Sequence, residues 1–390
     1  MIGKRKHSGT TGPGVIVTGG GTGGHLFPGI AIAERLRERQ PGMRVLFVST
    51  GTPVEKRVLP RLGFDFERIP AEGLKGRRMT DRLRAIVKLT TGLGRAARIL
   101  VQFKPALVVG MGGYSSAPVV LCAWLFGIRI VLHEQNALPG ITNRLLCRFA
   151  DCVFVTYEEA RDRLKARNII VSGNPLRREI LNALKNVGTA VDDGITEAGD
   201  KFSLLVIGGS QGAHSLNQTM MDAMKKVTGR GIFSVVHQTG PVDEAMVRRA
   251  YEQAGIECTV KAFFDDMAGR YIEADLVVCR SGATTVAEIA CVGKPAIFVP
   301  FPHAADNHQA YNAQALVAAG AAEMVAEADL SGDLMAGKID YYVARRDVLA
   351  RMAERAKQAG RPDAGNLIVD ECLALMASPA NKRAVFHTCI

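Results

Sequence analysis

Twice in its 390 residues the chain runs from a β-branched apolar stretch straight into a glycine loop and then into a helix-forming segment. Val15-Ile16-Val17 leads into GGGTGGHLFPG, Gly19 to Gly29, and FSLLVI (202–207) leads into GGSQGAHSLN, Gly208 to Asn217. A short strand that is apolar throughout is buried on both faces, so a strand of this kind that feeds a helix through glycine opens a parallel sheet covered by helices. Its recurrence in a chain longer than one core usually grows argues for two domains. The 47% hydrophobic and 22% charged content suits two packed cores. The apolar run Ala117 to Ile128 is broken by Arg129, short of the roughly 18 residues that a membrane span requires, so no transmembrane helix is expected.

Further β-branched runs alternate with helical stretches. They are RVLFVST (44–50), ALVVGMGG (106–113), IRIVLHEQN (128–136) and CVFVTY (152–157), then FSVVHQTG (233–240), CTVKAFFDD (258–266), LVVCRSGATTVAE (276–288) and PAIFVPFPHAADNHQ (295–309). The pattern predicts an α/β chain of two Rossmann-like doubly wound domains, with the ligand site in the interdomain cleft facing the C-terminal ends of the strands. It breaks near Ser172-Gly173-Asn174-Pro175, and the segment 183–200 is poor in apolar residues, so the boundary between the halves is expected here.

The net charge of +11 is unevenly placed. Between Leu74 and Leu100 stand Lys75, Arg77, Arg78, Arg82, Arg84, Lys88, Arg95 and Arg98 against Asp81 alone. The segment has no aromatic side chain to stack on bases. Nucleic acid is therefore not expected, and an anionic lipid surface or lipid-linked anion is the alternative partner. Leu83, Ile86, Val87, Leu93 and Leu100 recur at helical spacing, which fits a membrane-facing amphipathic helix or a solvated one whose apolar stripe faces the core. The cysteines are scattered without any C-x-x-C pair and read as reduced, buried thiols. Residues 1–13 are polar, with early positive charge but no apolar signal core.

Gly19, Gly21 and Gly24 spell G-x-G-x-x-G. A dinucleotide would also require an acidic residue about twenty positions on, at the end of the second strand. That strand ends Val48-Ser49-Thr50-Gly51-Thr52, with no carboxylate before Glu55. The loop therefore reads as a cradle for another phosphate, where backbone N–H groups approach closely and the helix presents its positive end.

Eight segments in order carry a more specific signal: GGTGGHLFPGIAIAERL, GMGGYSSAPVVLCA, HEQNALPGITNRLL, SGNPLR, GGSQGAHSLN, HQTG, FFDDMAGRYIEADLVVCRSGATTVAEI and PHAADNHQAYNA. Together they resemble the MurG family, transferases that move N-acetylglucosamine from UDP-N-acetylglucosamine to lipid I in peptidoglycan synthesis. The resemblance implies a GT-B type fold and an inverting transfer to the 4-hydroxyl of N-acetylmuramic acid, with no cofactor and no metal. It implies peripheral attachment to the anionic cytoplasmic face of the bacterial inner membrane. It also implies an acceptor- and membrane-facing domain at 14–173, a donor domain at 174–361, a segment 362–376 packing back onto the first domain, and tails at 1–13 and 377–390.

By the same resemblance, Gly20, Gly21, Gly24, Gly112, Gly113, Tyr114 and Asn136 face the acceptor, and Thr22, Gly23 and Asn136 also touch the donor. His25 is the candidate general base for the acceptor hydroxyl, since an imidazole suits proton transfer at neutral pH; capping the helix or donating to a phosphate are the alternatives. Tyr114 either contacts the acceptor or packs, and His133 and Glu134 read best as a structural hydrogen-bonded pair. For the donor, Ser210 and Gln211 are expected at the phosphates, Arg177 at the diphosphate and Glu288 on the ribose hydroxyls. Phe264 and Met267, with the backbone near Ala283, are expected around the uracil, core packing being the alternative for both. His308 and Gln309 are expected on the sugar hydroxyls. Two rival functions remain at this level: an epimerase of related fold acting on UDP-N-acetylglucosamine without a lipid acceptor, and a noncatalytic lipid-docking protein.

Overall fold

The computed structural model describes residues 12–21, 23–71, 79–189, 201–209 and 211–379. The chain divides into two units, Met1–Pro175 with Asp363–Ile390, and Leu176–Pro362.

The first unit holds a parallel sheet of β1 (Gly14–Thr18), β2 (Arg44–Ser49), β3 (Asp65–Arg68), β4 (Pro105–Gly110), β5 (Arg129–Glu134), β6 (Cys152–Val155) and β7 (Ile169–Val171), in the order β3-β2-β1-β4-β5-β6-β7. Residues along each central strand alternate between two apolar layers, as a period of two requires. Ile16, Val108 and Leu132 join Leu100 and Val120 in one layer, while Val15, Val17, Val109 and Val131 join Ile30, Ile32 and Leu36 in the other. The edge strands β3 and β7 were not marked in the sequence reading. Asp65-Phe66-Glu67-Arg68 is mostly exposed and charged, as an edge that resists further pairing should be.

The second unit holds β8 (Phe202–Ile207), β9 (Phe233–Gln238), β10 (Glu257–Lys261), β11 (Leu276–Cys279), β12 (Ala296–Phe298) and β13 (Ala322–Met324), parallel and in the order β10-β9-β8-β11-β12-β13. In each sheet the strand order reverses once, between β1 and β4 in the first and between β8 and β11 in the second. Connections leave such a point toward opposite faces and open a crevice at the strands' C-terminal ends, where ligands of doubly wound sheets bind. Both glycine loops sit at these points, after β1 and after β8.

Three expectations are refined. The chain enters the second unit before the 183–200 stretch: Leu176 and Ile180 are buried in the second core, and the helix Arg178–Thr189 lays Leu181 and Leu184 against it. The helix Ala364–Ala377 lies in the first unit, with Ile368, Val369 and Cys372 buried there, and Asn366 and Asp370 bonded to Arg35 and Arg39 of the helix Gly23–Arg39. In the basic segment, the helix Met79–Phe103 buries Ala96, Ile99, Leu100 and Phe103 against the first core. Its last turns are therefore core-facing. Lys75, Arg77 and Arg78 lie outside the described residues, as do the side chains of Arg82, Arg84 and Lys88. Among the described residues no helix is long and apolar enough to cross a membrane, and the described cysteines are free thiols, all buried except the half-buried Cys258.

Candidate active site

At the switch point of the first sheet, two glycine-rich loops pack backbone to backbone. Gly19 (φ +123°) and Gly21 (φ +100°) follow β1, and Gly112 (φ +89°) and Gly113 (φ +77°) follow β4, all in a region that favours glycine. A Cβ on Gly19 would lie 2.5 Å from the Gly112 carbonyl oxygen, and one on Gly113 would lie 2.8 Å from that of Gly20. The buried carboxylate of Glu55 fastens the first loop. Its Oε1 accepts from Gly21 N–H at 3.2 Å, and its Oε2 accepts from Gly51 and Thr52 N–H at 2.9 and 2.7 Å. Glu55 also completes a capping box with Thr52 at the start of the helix Pro53–Arg61. Gly21 was expected to turn toward the acceptor's pyrophosphate, but its N–H is committed to Glu55.

His25 lies in the first turn of the helix Gly23–Arg39, which carries no acidic residue there, and is half-buried. Its Nδ1 is 2.8 Å from Oε1 of Gln135, which follows β5 and is buried. The Gln135 amide nitrogen lies 3.1 Å from the Met111 carbonyl oxygen and 3.0 Å from Nδ1 of His133. The other nitrogen of His133, Nε2, is 3.1 Å from the Gly173 carbonyl oxygen. His133 is fully buried, and that burial lowers its pKa to about 4. It is therefore neutral near pH 7. A Cβ on Gly112 or Gly113 would come 3.4 Å from Cε1 or 3.7 Å from Cδ2 of His25. These carbons flank Nε2, so a side chain at 112 or 113 would stand against the Nε2 edge of the ring, and glycine places none there.

Glu134 points elsewhere. Its Oε1 accepts from the backbone and side-chain nitrogens of Asn136 at 3.0 and 3.1 Å, and its Oε2 accepts from Gly140 N–H and Asn143 Nδ2 at 3.0 and 2.9 Å. His133 and Glu134 are thus both structural, but they bond separate partners and not each other. Asn136 is half-buried and held by Glu134, and Tyr114 is 48% exposed beside Gly113, presented rather than packed. Gly20 and Gly23 are half-buried in the first loop, and Thr22 lies outside the described residues.

In the second unit the loop after β8 is held by Gly208 N–H donating to the Gln238 carbonyl (3.0 Å) and by Gly212 pressed against Thr239 and Gly240. Gln211 is exposed in this loop, and Ser210 lies outside the described residues. Arg177 and Glu288, expected on the diphosphate and the ribose, face each other. Arg177 Nε donates to Oε1 at 2.7 Å and Nη2 to Oε2 at 3.0 Å, while Tyr271 OH donates to Oε2 at 3.2 Å. Burial disfavours the guanidinium's charge, but the facing carboxylate outweighs it and raises the Arg177 pKa. Phe264 and Met267 are buried in a core of the second unit, and Ala283 is buried at the start of the helix Ala283–Val292. Phe264 is 4% exposed, with Lys261 Nζ and the Arg270 guanidinium 5.7 and 5.5 Å from its ring centroid. His308 and Gln309 open the helix His308–Ala318 behind Asp306 and Asn307, both at positive φ, and Gln309 Oε1 accepts from Phe301 N–H at 2.9 Å. Among the described residues, no cluster of three or more His, Cys, Asp or Glu is placed to hold a metal ion.

The N-terminal domain model of glycosyltransferase family 28 matches residues 15–155, and the C-terminal domain model of the same family matches residues 203–368. The UDP-N-acetylglucosamine--N-acetylmuramyl-(pentapeptide) pyrophosphoryl-undecaprenol N-acetylglucosamine transferase of Geotalea uraniireducens is 45% identical over 359 residues, covering 92% of this chain and 97% of that one. The chain belongs to this transferase family. The transferase of the same name from Syntrophus aciditrophicus is 44% identical over 93% of this chain and 98% of that one. The crystal structure of Acinetobacter baumannii MurG superposes with a TM-score of 0.73 at 30% identity, covering 93% of this chain and all of that one. The chain is a glycosyltransferase with a GT-B type fold. A UDP-GlcNAc 2-epimerase from Neisseria meningitidis bound to UDP-GlcNAc also superposes, with a TM-score of 0.64 over 93% of this chain and 100% of that one, but at 15% identity it shares the fold alone.

Glu55 and Gln135 organise the region around His25, and neither stands among the residues that the sequence points to: Glu55 reads there only as a carboxylate too far along the chain for a dinucleotide, and within HEQN the sequence points to Asn136.

Proposed function

We propose that the chain transfers N-acetylglucosamine from UDP-N-acetylglucosamine to the 4-hydroxyl of N-acetylmuramic acid in lipid I, undecaprenyl-pyrophosphoryl-MurNAc-pentapeptide, giving the β-1,4-linked lipid II of peptidoglycan synthesis. Beyond family membership, the observation that carries the chemistry is His25: an imidazole at a helix N-terminus, beside two glycine loops, with Nδ1 taken by Gln135. The acceptor hydroxyl gives its proton to Nε2 as its oxygen attacks the anomeric carbon from the face opposite UDP. The new C–O bond forms as the bond to UDP breaks, and UDP leaves with the electron pair.

For the donor, exposed Gln211 and the start of the helix His214–Lys226 suit the phosphates, and His308 and Gln309 suit the sugar hydroxyls. The Arg177–Glu288 pair suits an exchange of partners. The two ribose hydroxyls replace the guanidinium on Glu288, and the diphosphate takes up the released Arg177, stabilising the charge that develops on the leaving group. The chain's positive charge and basic Leu74 to Leu100 segment suit an anionic membrane surface, with the protein peripheral on the cytoplasmic face.

The test is transfer of labelled N-acetylglucosamine to a short-chain lipid I analogue by purified protein, with EDTA present. Product from wild type and a fall in kcat of about 10²–10⁴ in His25→Ala, the range a general base supplies, is the expected result. Folded, UDP-binding protein that makes no lipid-linked disaccharide overturns the acceptor assignment and favours an epimerase-like use of the nucleotide sugar.

A further inference from the structure

We infer that Gln135 is a positioning residue that holds His25 in the one neutral tautomer able to act as a base at Nε2. The inference rests on the reading of His25 as base and adds what sets its proton.

The logic starts at the far end of the chain of contacts. The Gly173 carbonyl can only accept, so the His133 Nε2 that faces it at 3.1 Å carries hydrogen. His133 is buried and neutral, so its Nδ1 holds a lone pair and must accept. The Gln135 atom that meets it at 3.0 Å is therefore the amide nitrogen, an orientation the Met111 carbonyl oxygen, 3.1 Å from the same atom, independently requires. With its nitrogen so engaged, Gln135 can turn only its carbonyl oxygen toward His25. An acceptor 2.8 Å from Nδ1 fixes the proton there and leaves the lone pair on Nε2. Each contact in the series permits only one polarity, and the polarity arrives at His25 pointing outward.

The side chain that orients this imidazole is also uncharged. In the serine-protease triad a carboxylate does the orienting and also stabilises the imidazolium. A carboxylate beside His25 would add negative charge next to the loops proposed to meet an acceptor pyrophosphate. Gln135 sets the tautomer without that charge, leaving the positive helix end uncompensated toward the ligand.

The full-length protein labelled with ¹⁵N at histidine reports the tautomer directly, because protonated and lone-pair ring nitrogens resonate far apart. The expected wild-type signal for His25, assigned by its absence in His25→Ala, is the Nδ1–H form of the neutral ring. In Gln135→Met, which fills the same space without an acceptor, this signal shifts toward Nε2–H. There kcat falls about tenfold to a hundredfold, part of the roughly 10²–10⁴ due to a general base, while KM for both substrates stays within about twofold. Gln135→Glu keeps an acceptor facing Nδ1, so it retains the Nδ1–H signal and recovers part of the lost kcat. A wild-type His25 carrying its proton on Nε2 overturns the inference, and this measurement stands even if the Gln135 variants do not fold. An unchanged tautomer in folded Gln135→Met overturns it too. Retained turnover in His25→Ala defeats the base reading without touching the tautomer result, so the two failures are distinguishable.

Discussion

The two units place a glycine loop at the same topological point, yet they treat the polar groups buried beside it in opposite ways. In the first, the series from the Gly173 carbonyl through His133 and Gln135 ends on Nδ1 of His25. In the second, Arg177, Glu288 and Tyr271 close on one another. An open-ended series transmits a fixed hydrogen-bond polarity to the ligand side. A closed cluster holds opposite charges in balance until something of equal charge and hydrogen-bonding capacity replaces one of them.

The sharpest way to break this contrast is to remove one member from each. His25→Ala should cost about 10²–10⁴ in kcat while leaving the urea midpoint almost unmoved, because the side chain is half-buried and its loss strands only an amide oxygen. Glu288→Ala should do the reverse first. It leaves a buried guanidinium without its partner, for roughly 3–5 kcal/mol of stability, and in whatever folds it raises the KM for UDP-N-acetylglucosamine more than it lowers kcat. A double variant, Arg177→Met with Glu288→Leu, should recover much of that stability but not the KM. Equal stability losses at the two sites would show that the first series is as closed as the second.

A smaller effect separates the units by pH. Burial lowers His133 to about 4 and His237 to about 3, from 6.5. As pH falls through 6.5 the unfolded chain binds a proton at each position that the folded chain refuses, so stability is complete above that pH and declines toward 4 for His133 and toward 3 for His237. The contribution is on the order of 3 kcal/mol for His133 and 5 kcal/mol for His237. Trp124, the single tryptophan, lies in the first unit, so its fluorescence follows that unit while circular dichroism follows both. His237→Gln should flatten the acid slope seen by circular dichroism and leave the slope seen by Trp124 unchanged. A change in both would mean that the units do not unfold separately.

The sheets, the order of the motifs and the two loops were legible because they are written locally, in apolar runs of strand length ended by glycine. The short edge strands were not, since β3 is charged and exposed and β7 is only half-buried, so neither carries a core signal. Glu55 and Gln135 were missed for a different reason: the contacts that give them meaning span 34 and 110 residues. One local signal did exist for Gln135. Continued past the end of β5, the two-residue alternation sets His133 with Gln135 and Glu134 with Asn136, the pairing of the two side-chain networks. The Arg177–Glu288 pair was not legible, because the sequence reading assigns each residue to a ligand and neither to the other.

The smallest predicted effect tests whether the loops themselves differ or only their neighbours. Gly209 has φ +85° and nothing within 4 Å of where a Cβ would stand, whereas a Cβ on Gly19, at φ +123°, would meet the Gly112 carbonyl oxygen at 2.5 Å. Gly209→Ala therefore bears only the left-handed backbone, about 1–2 kcal/mol. Gly19→Ala bears backbone strain and a clash that parts the two loops around His25, so it should exceed that in urea midpoint and also lower kcat. If Gly209→Ala matches Gly19→Ala in stability, backbone conformation alone sets the cost. If stability separates them but kcat does not, the loop packing supports the fold without setting the position of His25, and the imidazole is held by Gln135 alone.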